Sequence, residues 1–125
     1  MKNKPTESEL EVLSLIWKNG PMTVRRIHDR IKEDRKIGYT TTLKIMQIMH
    51  EKGMLSREKD GKTHIYSAKM DEVKTQENLV SRMINKVFDG SSKQLVIQAL
   101  GSQQPSKEEL DEIRKYLDEL NDDGL

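Results

Sequence analysis

The stretch Gly38-Tyr39-Thr40-Thr41-Thr42-Leu43-Lys44-Ile45-Met46-Gln47-Ile48-Met49-His50-Glu51-Lys52-Gly53, continued after Met54 by Leu55-Ser56-Arg57-Glu58-Lys59-Asp60-Gly61-Lys62-Thr63-His64-Ile65-Tyr66-Ser67, decides the fold. Its hydrophobic period switches from that of a helix to that of a strand. Leu43, Ile45, Met46, Ile48 and Met49 are the apolar positions of the helical segment. Residues 40, 44, 47 and 51 fall on one side, opposite Leu43, Met46 and Met49. Gly53 is the expected left-handed terminator. Beyond it, a pair of short strands flanks Asp60-Gly61, a two-residue hairpin turn signal. A lone hairpin is marginally stable in water, so this one is expected to lie against helices.

Two helices precede this stretch. Thr6-Glu7-Ser8-Glu9 is a capping box, and Leu10, Leu13, Ile16 and Trp17 follow at helical spacing before Gly20-Pro21 stops the run. Thr23 can cap a second helix with Val24, Ile27 and Ile31 facing inward and Arg25, Arg26, Arg30 and Lys32 elsewhere on its surface. Three helices and a hairpin make a winged helix-turn-helix, and residues 1–70 are assigned to it. Residues 71–125 read as all helix. Val73, Leu79, Val80, Met83, Ile84 and Val87 lie in a helix over 71–88 closed by Gly90. A short apolar helix carries Leu95, Val96, Ile97 and Leu100, and Gly101 to Pro105 is a polar break. Ser106 to Glu109 is a second capping box, opening a helix with Leu110, Ile113, Leu117 and Leu120. The fold class is therefore mainly α with a small β-hairpin: an N-terminal winged helix-turn-helix and a C-terminal three-helix region.

The chain has 125 residues and a formal net charge of +1. That balance conceals two opposed halves. Residues 1–70 hold 15 Lys and Arg against 9 Asp and Glu, and residues 71–125 hold 7 against 12. A basic half of +6 beside an acidic half of −5 points to a polyanion partner for the first. Leu, Ile, Val and Phe number 29, a thin core for a chain that is 34% charged. The missing buried surface is expected to come from a second copy of the chain, through Leu79, Val80, Met83, Ile84, Val87, Leu95, Val96, Leu100, Leu110, Ile113 and Leu117. Joining two readers of DNA raises affinity through effective concentration without new contacts per half-site.

Other classes drop out. There is no cysteine, hence no disulfide framework, thiolate metal site or Cys nucleophile. His28, His50 and His64 sit singly on different elements and read as surface or turn residues, so no metal and no cofactor are expected. No apolar run reaches membrane-helix length, and Met1-Lys2-Asn3-Lys4-Pro5 has no hydrophobic stretch behind it, so a cytoplasmic location is expected. Nothing gathers a nucleophile, a base and an oxyanion site, so an enzyme is not expected.

In helix-turn-helix recognition the second helix of the motif enters the major groove N-terminal end first. Thr40, Thr41, Thr42, Lys44 and Gln47 are then the base-facing candidates: Thr offers a hydroxyl and a methyl, and Lys and Gln can read bases. The amides at that helix start can hold a phosphate. Arg57, Lys59 and Lys62 around the turn, with Arg25, Arg26 and Arg30, are the candidates for the DNA backbone. The alternative is a winged-helix protein-interaction module that does not read DNA sequence, against which the +6 of the basic half argues.

The stretches Glu9-Leu10-Glu11-Val12-Leu13 with Trp17, Gly20-Pro21-Met22-Thr23-Val24, Gly38-Tyr39-Thr40-Thr41-Thr42-Leu43-Lys44, Glu51-Lys52-Gly53 and Arg57 to Ser67 resemble the penicillinase-repressor family, the BlaI/MecI type. The resemblance covers nearly the whole chain. It implies a winged-helix DNA-binding domain, a C-terminal dimerisation domain and a homodimeric transcriptional repressor on a dyad-symmetric operator. On the family's pattern the recognition role falls on Thr40, Thr41, Thr42, Lys44 and Gln47. It also implies a tie to antibiotic resistance. In the drug-resistance members a membrane-bound sensor-protease cleaves near the helix matching Leu95 to Leu100, the dimer fails and the operon is released. The susceptible bond there is Asn-Phe, and the matching place here is Gln98-Ala99. The CopY-type branch carries C-terminal cysteines, which this chain lacks.

Overall fold

The computed structural model describes residues 4–123. The extreme ends of the two expected domains, and the leader positions Met1 to Asn3, lie outside the described residues. The chain divides into two compact units, one ending at Gln76 and the other beginning at Glu77.

The first unit opens with α1 (Glu7–Asn19), whose start carries the full capping box. Thr6 Oγ1 accepts the Glu9 amide at 3.1 Å, and Glu9 Oε1 accepts the Thr6 amide at 2.9 Å. Gly20, at φ +82°, turns the chain out of the helix into β1 (Met22–Thr23). Thr23 Oγ1 then caps α2 (Val24–Ile31) by accepting the Arg26 amide at 3.2 Å. α3 (Tyr39–Glu51) ends in a Schellman motif: the Met54 amide donates to Met49 O at 2.9 Å, the Gly53 amide to His50 O at 3.1 Å, and Gly53 sits at φ +83°. The wing is β2 (Leu55–Asp60) antiparallel to β3 (Thr63–Ala68).

Two details of this unit differ from the sequence expectation. The hairpin is not alone on the helices. Met22 and Thr23 pair with Tyr66 and Ile65, so the sheet has three strands in the order β1-β3-β2. Two residues between Pro21 and a helix cap are too short to register as a strand by alternation. The turn also sits one residue later than Asp60-Gly61. Asp60 pairs with Thr63, leaving Gly61 and Lys62 as the central residues. Gly61 has φ +65°, the sign that a type II′ turn demands of its first central residue and that glycine meets without strain.

The core of the unit lies where α1, α2, α3 and the sheet meet. Val12, Leu13 and Ile16 of α1, Val24, Ile27 and Ile31 of α2, and Met46 and Met49 of α3 are buried around Met22, Met54, Leu55 and Tyr66. Leu43, Ile45 and Ile48, expected among the apolar positions of α3, are only partly buried. Thr42 is fully buried in that face instead. Trp17 Nε1 donates to Met70 O at 3.0 Å, tying α1 to the end of the wing.

The second unit holds the greater part of α4 (Glu72–Lys86), then α5 (Ser92–Gln103) and α6 (Lys107–Asp123). α4 ends four residues before Gly90, which has φ +84°. α5 runs through Gly101, Ser102 and Gln103, so the polar break shrinks to Gln104–Ser106. The one glycine there weakens the helix without ending it. Ser91 and Ser106 hydroxyls accept the amides of Gln94 and Glu109, both at 3.1 Å. Among the described residues of this unit none is buried.

Glu9 links the capping box to a second helix, since its Oε2 lies 2.9 Å from Lys52 Nζ. Burial alone would raise its carboxyl. The Thr6 amide and the Lys52 ammonium outweigh that and hold it below the usual carboxylate range. A carboxyl depressed in the fold stabilises above the unfolded carboxylate range, and that contribution is lost as pH falls through the folded value. Glu9→Gln is therefore expected to cost about 1 kcal/mol at neutral pH, with the difference from the parent chain shrinking in acid, as pH falls through the folded value. Urea unfolding at neutral and acid pH measures this, and a gap independent of pH would refute the ionic contribution to the link.

Candidate nucleic-acid interface

α3 presents Thr40, Thr41, Lys44, Gln47 and Glu51 to solvent and turns Thr42, Met46 and Met49 inward. The one-sided arrangement expected for residues 40, 44, 47 and 51 is thus present. Thr42 departs from expectation. It is 0% exposed and its Oγ1 lies 2.9 Å from Nδ1 of His28. At helical spacing three successive threonines cannot share a face: Thr40 and Thr41 point out and Thr42 points toward α2. It is removed from the base-facing set. His28, expected at the surface, is buried as its partner. Both lie at helical spacing with buried neighbours, His28 with Val24, Ile27 and Ile31 and Thr42 with Met46 and Met49; they were missed because polar side chains on an apolar stripe read as surface.

The wing and the helices enclose an open cleft of about 380 Å³ in the first unit. Gln47, Leu43 and Tyr39 come from α3. Thr23, Val24 and Arg25 come from the start of α2. Arg57, Lys62, Thr63, His64 and Tyr66 come from the sheet and its turn. Three of the expected backbone cations, Arg25, Arg57 and Lys62, thus stand around one expected base reader. The Arg25 guanidinium lies over the Tyr39 ring, 4.3 Å from its centroid, a cation–π contact that limits where the charge can go. Arg57 NH1 donates to the Tyr66 hydroxyl at 3.3 Å. Tyr66 is 1% exposed, so it packs the hairpin and steadies Arg57.

Arg26 and Lys59 are exposed but do not line the cleft. Arg30 stands elsewhere, in a cleft with Glu11, Ser14, Leu15, Lys18, Ile31 and Asp34. Exposed there, it stays a candidate for the DNA backbone that stands apart from the wing cleft. Tyr39, Thr63 and His64 are lining residues that sequence reasoning missed, since their signal is only the proximity produced by the β1–β3 pairing. No side chain caps α3 at Gly38, which leaves its N-terminal amide end without a side-chain oxygen of its own. No group of three or more His, Asp or Glu side chains is placed to hold a metal among the described residues. No described helix is long and apolar enough to cross a membrane.

A recognition-type helix, a basic wing and a cleft edged by Arg and Lys define a winged-helix DNA-binding protein. Comparison with known proteins gives the particular kind. The penicillinase repressor family matches residues 5–119. A penicillinase repressor of Bacillus licheniformis is 26% identical over 121 residues, covering 95% of this chain and 94% of that protein. The methicillin resistance regulatory protein MecI of Mammaliicoccus sciuri is 28% identical, covering 94% and 98%. The transcriptional regulator BlaI of Mycobacterium tuberculosis is 24% identical, covering 90% and 81%. In fold, the structure of ZitR from Lactococcus lactis aligns with a TM-score of 0.51 at 18% identity, covering 98% of this chain and 77% of that one. The chain belongs to the penicillinase repressor family and is a transcriptional repressor, not an enzyme.

The placement of Lys62 at the wing turn and in the cleft leads to a direct test. Lys62→Ala is expected to weaken binding to all duplex sequences alike and to lower the slope of log affinity against log salt by about 0.9. Fluorescence anisotropy with random duplex at several salt concentrations reads both quantities. An unchanged slope would remove Lys62 from the phosphate contacts.

Proposed function

We propose that this repressor acts as a homodimer on a dyad-symmetric operator, with α3 of each copy in a major groove and the wing on the adjoining backbone. The cleft that gathers Gln47, Arg25, Arg57 and Lys62 carries this reading. Thr40, Thr41, Lys44 and Gln47 face the bases, and Arg25, Arg26, Arg30, Arg57, Lys59 and Lys62 hold phosphates. Residues 1–70 serve DNA binding and residues 71–125 serve dimerisation.

The helical region supports the dimer. Val80, Met83 and Val87 line one side of α4 and its C-terminal end and are 47%, 49% and 68% exposed. Val96 and Ile97 on α5, and Tyr116, Leu117 and Leu120 on α6, are about half exposed. Leu79, Ile84, Leu95, Leu100, Leu110 and Ile113 are partly covered. Apolar stripes of this extent without an interior are characteristic of interaction surfaces, and the occupant is a second copy. Release follows from cutting or loosening this region, which ends bivalent binding. Gln98 and Ala99, both exposed on α5, mark the segment for a sensor-protease. The names of the relatives support regulated genes that serve resistance to penicillin-type antibiotics.

Selection from a randomised duplex library tests the core of the proposal. Palindromic sites are expected, with half-site centres separated by whole turns of about 10 base pairs. Gln47→Ala is expected to cost about 1–3 kcal/mol on the selected site and to relax one base position. A wild-type chain with no preference for any sequence would refute base reading and favour a protein-docking role. Leu117→Glu places a charge in the apolar stripe of α6. Sedimentation should show a shift to monomer, with operator binding lost and the winged-helix unit still folded. A dimer that survives the change would take α6 out of the interface.

A further inference from the structure

Three fully buried side chains of α3 anchor it in the first unit, Thr42, Met46 and Met49, with Tyr39, Leu43 and Ile45 partly buried against the same core. Two of the three are methionines. An unbranched thioether with three rotatable bonds fills whatever gap it meets, so it steers the helix that carries it only weakly. No side chain caps the helix at Gly38. The directional contact is the third one. His28 Nδ1 and Thr42 Oγ1 lie 2.9 Å apart between α2 and α3, with both residues buried. A hydrogen bond weakens steeply off line, and a buried polar atom that loses its partner has no water to replace it. Turning α3 by one residue step, about 100°, would break this bond while the methionines repacked.

The same histidine connects to the outer surface through Tyr39. Its ring meets the Tyr39 ring edge-on, with centroids 5.5 Å apart at 83°, and Tyr39 carries Arg25 on its face at 4.3 Å. Arg25, Tyr39, His28 and Thr42 are thus a continuous series of contacts from a cleft cation to the buried side of α3.

We propose that His28 and Thr42 are a positioning pair: their hydrogen bond sets the rotation of α3 about its axis and so decides that Thr40, Thr41, Lys44 and Gln47 face the duplex. Neither residue touches DNA. The inference rests on the reading of α3 as the base-facing helix.

The test compares affinity for a duplex selected by the wild-type chain with affinity for a scrambled duplex of the same length. The double variant His28→Leu with Thr42→Val removes both polar atoms together and leaves neither unpaired. It is expected to keep its melting temperature and its affinity for the scrambled duplex. Its preference for the selected duplex should fall by about tenfold or more, the size of a lost base contact. A folded double variant with full preference overturns the proposal. Should the double variant not fold, Thr42→Ser and Thr42→Ala decide. Both lose the methyl and only the second loses the hydroxyl, so Thr42→Ser should keep the preference and Thr42→Ala lose it. Equal preference in these two variants overturns the pair. A wild-type chain without preference would refute the base-facing reading itself and the pair with it, whereas preference kept by the variants refutes the pair alone.

Discussion

The two-residue pairing of Met22 with Tyr66 and of Thr23 with Ile65 is the constraint on which the cationic cleft depends. Thr23 is at once a strand residue on β3 and the cap of α2. The start of the second helix is therefore fastened to the inner strand of the wing. Arg25 follows two residues after that junction, and Lys62 lies at the turn that begins β3. Their shared cleft with Gln47 is a consequence of backbone hydrogen bonds, not of attraction between side chains, since like charges repel. A surface that concentrates cations needs such a frame, because its electrostatics alone would spread them apart.

Around this frame the packing is uneven in character. α1 and α2 contribute branched Val, Leu and Ile to the core, while α3 and the junction after it contribute Met46, Met49 and Met54. Branched side chains hold few rotamers and specify geometry; methionines fill space and tolerate adjustment. The fully buried apolar anchors of α3 are thus its least exacting ones, with the branched Leu43 and Ile45 only partly buried beside them. The geometry of α3 is set by polar devices at its C-terminal end and along its length: the Schellman motif at Gly53, Glu9 on Lys52, and His28 on Thr42.

Much of this was legible in the residues. The capping box at Thr6, the stop at Gly20, the cap at Thr23 and the terminator at Gly53 are local chemistry, and local chemistry is written in adjacent residues. The one-sided exposure of Thr40, Lys44, Gln47 and Glu51 follows from helical period alone. What escaped was produced by distant residues meeting. β1 has no alternation to display in two residues. The turn at Gly61-Lys62 rather than Asp60-Gly61 is set by register across the hairpin. The place of Arg30 at a cleft with Glu11 and Asp34 depends on which neighbours three-dimensional packing supplies, whereas Thr42 and His28 lie at helical spacing with the core and were hidden only by their polarity.

The helical region leads to a different kind of consequence. With no fully buried residue among those described, residues 77–122 would, in the dimer proposed above, draw stability from the partner laid on their apolar sides. A segment of that sort obeys mass action: its folded fraction rises with the amount of the covering partner. Where that partner is another copy of the same chain, the number of molecules in the cell sets how many are structurally complete. Copy number then becomes a threshold built into the sequence, below which the chain is not merely scarce but unfinished.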